Sequence, residues 1–115
     1  MLYKIKAIKY NGSAGSYGED RVEEDYVRRI GRIIRFSIKY IEPGYPMYCR
    51  YEYDSDGTPY KSGSWLRTST VKKVNVIQTG DLTIEVHVIT LNSIFIFEEY
   101  PRMLYKDGEK NESDD

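Results

Sequence analysis

Residues 82–97 read Leu82-Thr83-Ile84-Glu85-Val86-His87-Val88-Ile89-Thr90-Leu91-Asn92-Ser93-Ile94-Phe95-Ile96-Phe97. From Leu82 to Val88, hydrophobic residues alternate with polar ones, which is the period-two pattern of a β-strand with one buried face. A short turn follows at Leu91-Asn92-Ser93, and the apolar run that begins at Ile94 predicts a second strand. Because the turn is so short, the two strands must be antiparallel neighbours.

Three segments that precede this hairpin show the same alternation. Strands are expected over residues 32–40, 47–53 and 65–77, with turns at residues 42–46 and 54–59. In the last of these strands the alternation slips around Lys72-Lys73. The pattern assigns Tyr51 and Tyr53 to the core and Tyr48 to the outer face of its strand.

The amino-terminal segment predicts one more strand, over residues 2–10. Its alternation slips between Ala7 and Ile8, which indicates a bulge or a strand end. A connector with three glycines follows, at Gly12, Gly15 and Gly18. Their spacing matches neither the dinucleotide nor the Walker pattern, and the acids that follow would repel a phosphate, so we interpret this segment as a flexible connector.

Helical spacing of apolar residues predicts a short helix over residues 20–30. Asp20 and Glu23 match a capping box at its start, and Gly31 stands where a carboxyl-terminal cap is expected. The alternative is that the strand containing Ile34 begins earlier, near Ile30, since these residues also share a period of two.

Together these segments predict a mainly β (α+β) fold, a small antiparallel β-barrel, SH3-like or Sm-like, with one short helix. Closure would remove the exposed edges of a meander of strands. An OB-like barrel and an open α+β sheet are the alternatives. A single domain is expected over residues 1–104, followed by an acidic disordered tail over residues 105–115.

The composition excludes several classes of protein. The 115 residues include 17 basic and 18 acidic ones, and five of the acids lie in the last nine residues, so the domain itself is mildly basic. No apolar run is long enough for a transmembrane helix, and no signal peptide is expected, because the first residues lack its apolar stretch. The single cysteine, Cys49, cannot form an internal disulfide, which favours a cytoplasmic location.

Residues suited to catalysis or metal binding are scarce. A nucleophilic pair would require Cys49 and His87, but the alternation assigns Cys49 to a buried face and His87 to an outer one. Asp54-Ser55-Asp56-Gly57 resembles the start of a calcium loop, yet its glycine comes too early and the later glutamate is missing, which favours a simple turn. No zinc ligands occur at a suitable spacing. The sequence therefore predicts a non-enzymatic protein without a cofactor or metal.

Basic and aromatic residues are concentrated in one part of the chain. Five bases follow one another with no acid between them, at Arg28, Arg29, Arg32, Arg35 and Lys39. Seven aromatic residues lie from Tyr40 to Trp65 inclusive. Rings beside arginines can stack on bases and pair with phosphates, and they are equally common anchors of protein interfaces. The candidate binding residues are Arg35, Tyr48, Trp65, Arg67 and Lys72.

Three segments carry a resemblance to other proteins: Arg32-Ile33-Ile34-Arg35-Phe36, Ser69-Thr70-Val71-Lys72-Lys73-Val74 and Thr90-Leu91-Asn92-Ser93-Ile94-Phe95. Over about residues 30–98 the chain is similar to short uncharacterised proteins of Firmicute phages and mobile elements. The resemblance implies a protein that acts by binding, as an inhibitor of host defence or as a sponge for a signalling nucleotide. It carries no motif from which site residues can be transferred.

The function predicted from the sequence is therefore binding of a host protein through a Tyr/Trp/Arg face. The alternatives are a nucleotide or nucleic-acid ligand and a structural, oligomeric β-barrel. Affinity that falls steeply with salt would indicate a phosphate-bearing ligand. A protein partner predicts weak salt dependence and greatest sensitivity at Trp65 or Tyr48. If the barrel is Sm-like, homo-oligomerisation is expected and would build composite sites between subunits, whereas no membrane partner is expected.

Overall fold

The computed structural model of the protein describes residues 1–12, 16–60, 64–80 and 83–100. Six strands dominate it: β1 Leu2–Tyr10, β2 Ile33–Arg35, β3 Pro46–Tyr53, β4 Trp65–Gln78, β5 Ile84–Thr90 and β6 Ser93–Glu99. Between β1 and β2 lies a single helical turn, α1, at Glu24–Val27, and a 3-10 turn at Ile38–Tyr40 follows β2.

Each strand pairs antiparallel with the next one in sequence, and β6 returns to pair with β1, which closes the sheet into a barrel. The predicted hairpin is present, with Val86 opposite Phe97 and Val88 opposite Phe95. The expectation of a mainly β fold with a small closed antiparallel sheet is therefore confirmed. Whether the barrel is SH3-like or Sm-like stays a prediction.

Irregularities in the sheet occur where the sequence alternation slips. β4 changes register between Val71 and Lys73, at the predicted position, and β1 changes register between Ile5 and Ala7, just before it. β4 has two halves, because residues up to Thr70 pair with β3 and those from Val71 onward pair with β5, and the shift lies at the start of the second half. The bulges let one long strand belong to two sides of a closed sheet.

The barrel interior is filled by the inward residues of the strands. The buried hydrophobic cluster consists of Tyr3, Ile5, Ile8, Ile34, Phe36, Met47, Cys49, Tyr51, Leu66, Val71, Val86, Val88, Phe95 and Phe97. Phe36 stacks on Tyr3 with ring centroids 4.1 Å apart and meets Phe97 edge-on at 5.0 Å. Tyr51 is buried as expected, whereas the expectation that Tyr53 is a core residue is wrong, since its side chain is exposed at the end of β3.

The predicted helix over residues 20–30 is reduced to one turn. Its start is prevented because the chain at Asp20 runs antiparallel to β1, where it forms a bridge with Lys9. The Asp20 carboxylate accepts a hydrogen bond from Lys9 Nζ at 2.9 Å, and Glu23 makes no capping hydrogen bond. The capping box is therefore absent, and both acids are engaged in tertiary contacts instead.

The strand expected over residues 32–40 ends at Arg35. The chain then forms the 3-10 turn, in which the amide of Tyr40 donates to the carbonyl of Ser37 at 3.0 Å. This turn keeps Ile38 packed against the core but leaves Tyr40 exposed, contrary to the shared face that alternation assigned to them. Tertiary packing of Ile38 has overridden a local period of two.

The acidic tail expected over residues 105–115, and the domain end at residue 104, lie outside the described residues. Among the described segments, no helix has the length and apolar character that crossing a bilayer requires.

Candidate arginine-rich binding cleft

A tight turn after α1 brings three arginines to one side of the barrel. The amide of Arg29 donates to the carbonyl of Tyr26, and that of Arg32 donates to the carbonyl of Arg29, so the chain coils tightly rather than continuing as an α-helix. Gly31 ends this turn with φ of +96°, and its amide donates to the carbonyl of Ile5 at 2.8 Å. The turn is therefore anchored on β1 immediately before Arg32 enters the sheet.

These arginines face the start of β4 across an open cleft of about 450 Å³. The cleft is lined by Arg28, Arg29, Arg32, Tyr51, Tyr60, Ser64, Trp65, Leu66 and Arg67. Four of the nine lining residues are arginines and none carries a carboxylate. A ligand pocket of this size, with convergent charged groups, is within the range typical of small-molecule sites.

The floor of the cleft is built from Arg32 and two tyrosines. Tyr51 and Tyr60 stack with ring centroids 4.9 Å apart. The guanidinium carbon of Arg32 lies 4.9 Å from the centroid of Tyr51 and 5.0 Å from that of Tyr60. Burial, above all, raises the pKa of Tyr51 above its ordinary value, so that its hydroxyl stays neutral. Cation–π contacts hold the Arg32 charge in a fixed position without neutralising it.

Carboxylates compensate two of the four arginines only partly. An oxygen of Asp54 lies 3.5 Å from Nε of Arg32, and Arg28 pairs with Asp25 at 3.2 Å in an exposed position. Nε of Arg32 is buried and has no hydrogen-bond partner in the described residues.

The other two arginines, Arg29 and Arg67, have no carboxylate partner in the described part of the chain. Arg29 lies over the ring of Tyr26, with its guanidinium carbon 5.0 Å from the centroid. Nε of Arg67 donates to the hydroxyl of Tyr48 at 2.7 Å. Their remaining N–H groups are the donors with which the cleft could bind an anion.

A smaller recess of about 40 Å³ adjoins the cleft and shares Arg29 and Arg67 with it. Its walls carry hydroxyl and amide groups from Thr68, Ser69, Thr90, Asn92 and Ser93. Several of these groups already bond to one another, as in the 2.9 Å bond from Thr90 Oγ1 to the carbonyl of Ser93. The recess therefore gives the arginine pair a polar, preorganised wall.

The five residues predicted from the sequence are distributed over three places. Trp65 and Arg67 line the cleft. Tyr48 lies opposite Arg67 in the β3–β4 pairing, and Arg35 lies opposite Arg50 in the β2–β3 pairing, so both belong to the outer face beside it. Lys72 lies in the half of β4 that pairs with β5, separated from Arg67 by about 16 Å of extended chain.

The sequence-based choice missed Arg28, Arg29, Arg32 and Tyr60. The signal was present, because the arginines belong to the acid-free basic run and Tyr60 to the aromatic cluster. The arginines are brought to the cleft by the turn after α1, and the sequence predicts a continuous helix in place of that turn.

The residues considered for catalysis lie apart from the cleft-lining groups. Cys49 is buried in the core, where desolvation raises its pKa to about 12. His87 lies on the outer face of β5, with Nε2 3.0 Å from Oε1 of Glu85. In the loop after β3, Asp56 accepts hydrogen bonds from the amide and hydroxyl of Thr58, which is the predicted turn. The described residues include no cluster of potential metal ligands.

Comparison with protein-family models, with curated proteins and with solved structures finds no match to the chain.

Proposed function

We propose that the protein is a non-enzymatic binding module whose arginine cleft holds a phosphate-bearing ligand with a planar base, that is, a nucleotide or a nucleotide unit. The observation that carries the proposal is the convergence of four arginines, from two separated parts of the chain, beside the exposed ring of Trp65 and the half-buried ring of Tyr60. This proposal gives the nucleotide alternative precedence over the host-protein partner favoured by the sequence.

Charge is the first argument for it. The cleft lining contains no acid, and Arg29 and Arg67 lack carboxylate partners among the described residues. A guanidinium offers a planar fork of donors that matches two phosphate oxygens, and such charge-assisted bonds are about twice as strong as neutral ones. A cluster of uncompensated arginines is unfavourable by itself, so an anion that enters the cleft relieves their mutual repulsion.

The rings are the second argument. Trp65 has 55% of its surface exposed at the rim of the cleft, and Tyr60 is half-buried below it. Large exposed rings next to cations are the groups on which nucleobases stack. Ring and cation together select a ligand that carries both a base and a phosphate, rather than either alone.

Trp65 also makes the test direct, because it is the only tryptophan of the chain. We expect ATP, GTP, CTP or UTP to quench its fluorescence, and inorganic pyrophosphate to compete without quenching. Calorimetry on the same samples gives an independent affinity. Binding should weaken steeply as salt is raised, because bound arginines release counterions.

The matched variants lie on the same strand. Arg67→Gln should weaken nucleotide binding about tenfold or more, which corresponds to the loss of a charge-assisted hydrogen bond. Lys72→Gln removes the same unit of charge from β4 outside the cleft and should change affinity less than about twofold. No quenching by any of the four nucleotides, or equal losses for both variants, would refute the proposal.

A second candidate function, binding of a host protein by a phage-derived inhibitor, is favoured by the outer face of β3 and β4. There Tyr48 lies opposite Arg67 and Arg50 lies opposite Trp65, so exposed rings and arginines alternate across the two strands. Tyrosine, tryptophan and arginine are the residues most enriched at interface hot spots. This function predicts salt-insensitive binding that is lost with Tyr48→Ala but retained in Arg29→Gln.

A further inference from the structure

A second cavity, of about 340 Å³, lies at the start of β3, whereas the arginine cleft lies nearer the end of that strand. It is lined by Arg35, Phe36, Ser37, Tyr40, Ile41, Pro46, Met47 and Tyr48, again without a carboxylate. Tyr40 and Tyr48 have 79% and 59% of their surfaces exposed. Exposed rings of this size on a cavity wall are suited to stacking rather than to core packing.

Cations accompany the rings of this cavity as they do in the cleft. Nζ of Lys39 lies 5.4 Å from the centroid of Tyr40. Arg35 is exposed and forms an ion pair with Glu52, in which Nε of Arg35 lies 3.0 Å from Oε2 of Glu52. The second cavity therefore also combines exposed rings with a cation, although Arg35 is the only basic residue among the described residues that line it.

One contact joins the two cavities. Arg67 lines the cleft, Tyr48 lines the second cavity, and the two are directly opposite each other in the β3–β4 pairing. The hydrogen bond from Arg67 Nε to the Tyr48 hydroxyl, and the 5.6 Å approach of the guanidinium to the ring, form the wall between them. A ligand that crosses this wall would contact the guanidinium of Arg67 and the ring of Tyr48.

We propose that the natural ligand is a single-stranded nucleic acid that runs from the arginine cleft, over the Arg67–Tyr48 pair, into the cavity beside Tyr40. The proposal rests on the nucleotide site described above and extends it to a polymer. A repeat of ring and cation along a continuous path matches a chain of bases and phosphates, whereas a mononucleotide would use only one of the cavities. A single strand fits better than a duplex, because rings within cavities cannot reach bases that are stacked in a helix.

The experiment compares oligomers with monomers on the full chain. Fluorescence anisotropy of labelled oligo-dT and oligo-U of about ten nucleotides measures strand binding. Quenching of Trp65 by dTMP and UMP measures occupation of the cleft alone. We expect at least one of the oligomers to bind more than tenfold tighter than its monomer.

Variants of the second cavity should separate the two sites. Tyr40→Ala should weaken oligomer binding about fivefold to a hundredfold, as expected for the loss of one stacked base, and leave monomer affinity unchanged. Arg35→Gln should reduce the slope of log affinity against log salt by about 0.7. Tyr45→Ala is the control, because Tyr45 is a similarly exposed tyrosine that lines neither cavity.

The outcomes distinguish this proposal from the one on which it rests. If monomers quench Trp65 but oligomers bind no tighter, the strand proposal is wrong and the nucleotide site stands. If neither oligomers nor monomers bind but a nucleoside triphosphate quenches Trp65, only the strand proposal is wrong. If the four triphosphates also fail, both proposals are wrong. Equal effects of Tyr40→Ala and Tyr45→Ala on oligomer binding would also show that the proposed path is wrong. Salt-insensitive capture of a protein through Tyr48 would assign this face to a protein partner instead.

Discussion

Arg21 and Glu23 are joined by two parallel hydrogen bonds, with Arg21 Nε donating to Oε1 of Glu23 at 3.2 Å and Nη2 donating to Oε2 at 2.8 Å. The hydroxyl of Tyr10 donates to the same carboxylate at 3.1 Å. The Arg21 guanidinium is buried, and its Nη1 also donates to Ser93 Oγ at 2.7 Å. This pair connects the segment before α1 to β1 and to the β5–β6 turn.

The first prediction concerns acid stability. Chiefly because Arg21 donates to it, the pKa of Glu23 is lowered from 4.5 to about 2. Since the folded pKa lies below the unfolded one, the unfolded chain binds more protons between about pH 4.5 and about pH 2, and the stabilisation from Glu23 is lost as pH falls through that window. Urea titrations at several pH values should show that, within this window, the free energy of unfolding falls less steeply with decreasing pH for Glu23→Gln than for the wild type. Equal slopes would contradict the prediction.

The second prediction separates the fork of Arg21 from its charge. Arg21→Lys keeps the charge but loses the paired donors, and it should lower the free energy of unfolding by about 1.5 to 3 kcal/mol. Arg28→Lys is the control, because its pair with Asp25 is exposed, and its effect should stay within about 0.5 kcal/mol. If Arg21→Lys and Arg28→Lys change the free energy of unfolding in urea equally, the paired donors of Arg21 do not contribute to stability.

The third prediction concerns the turn that presents the cleft arginines. A Cβ at Gly31 would lie 3.0 Å from Cβ of Ser55, whereas one at Gly57 would meet nothing within 4 Å. Both glycines have positive φ, so each alanine variant should cost about 1 to 2 kcal/mol from backbone strain. Gly31→Ala should cost about 1 kcal/mol more, because of the contact with Ser55.

A second-site change tests that reason. Ser55→Gly in the Gly31→Ala background removes the contacting Cβ and should recover the excess but not the strain, as measured by urea unfolding. If Gly31→Ala and Gly57→Ala are equally destabilising, the approach of the new Cβ to Cβ of Ser55 does not lower the free energy of unfolding.

The fourth prediction concerns the single thiol. Burial raises the pKa of Cys49 to about 12, so near neutral pH it is a protonated, enclosed group. A disulfide reagent such as DTNB should react with the native protein only as fast as the barrel opens, and rapidly in concentrated guanidinium chloride. Rapid labelling of the native protein would contradict the burial of this face of β3.

The β-hairpin and the bulge at Lys72-Lys73 could be predicted from the sequence for a physical reason. A strand with one buried face must alternate strictly, so a slip such as Lys72-Lys73 indicates a change of register. The helix over residues 20–30 does not form as predicted, because Asp20 bridges to Lys9 and Arg21 donates to Ser93. Both are contacts between distant parts of the chain that no local pattern contains.

The cleft was only partly predictable for a related reason. Trp65 and Arg67 were identified because their outward direction follows from the alternation of β4. Arg29 and Arg32 are brought to the cleft by the tight turn that contains Gly31, which has a positive φ. The position of this turn depends on the hydrogen bond from the Gly31 amide to Ile5. A basic run in a sequence indicates charge, but which arginines converge is decided by tertiary contacts.

The pairing of β1 with β6 sets Tyr3 opposite Glu99. Because the first strand needs the last one as its neighbour, the barrel cannot close during synthesis until the ribosome has released β6. Until then, β1 retains an unpaired edge that another nascent chain could occupy. Closure of the barrel is therefore expected to be a late step of folding, because it joins the two strands that lie furthest apart in the described sequence.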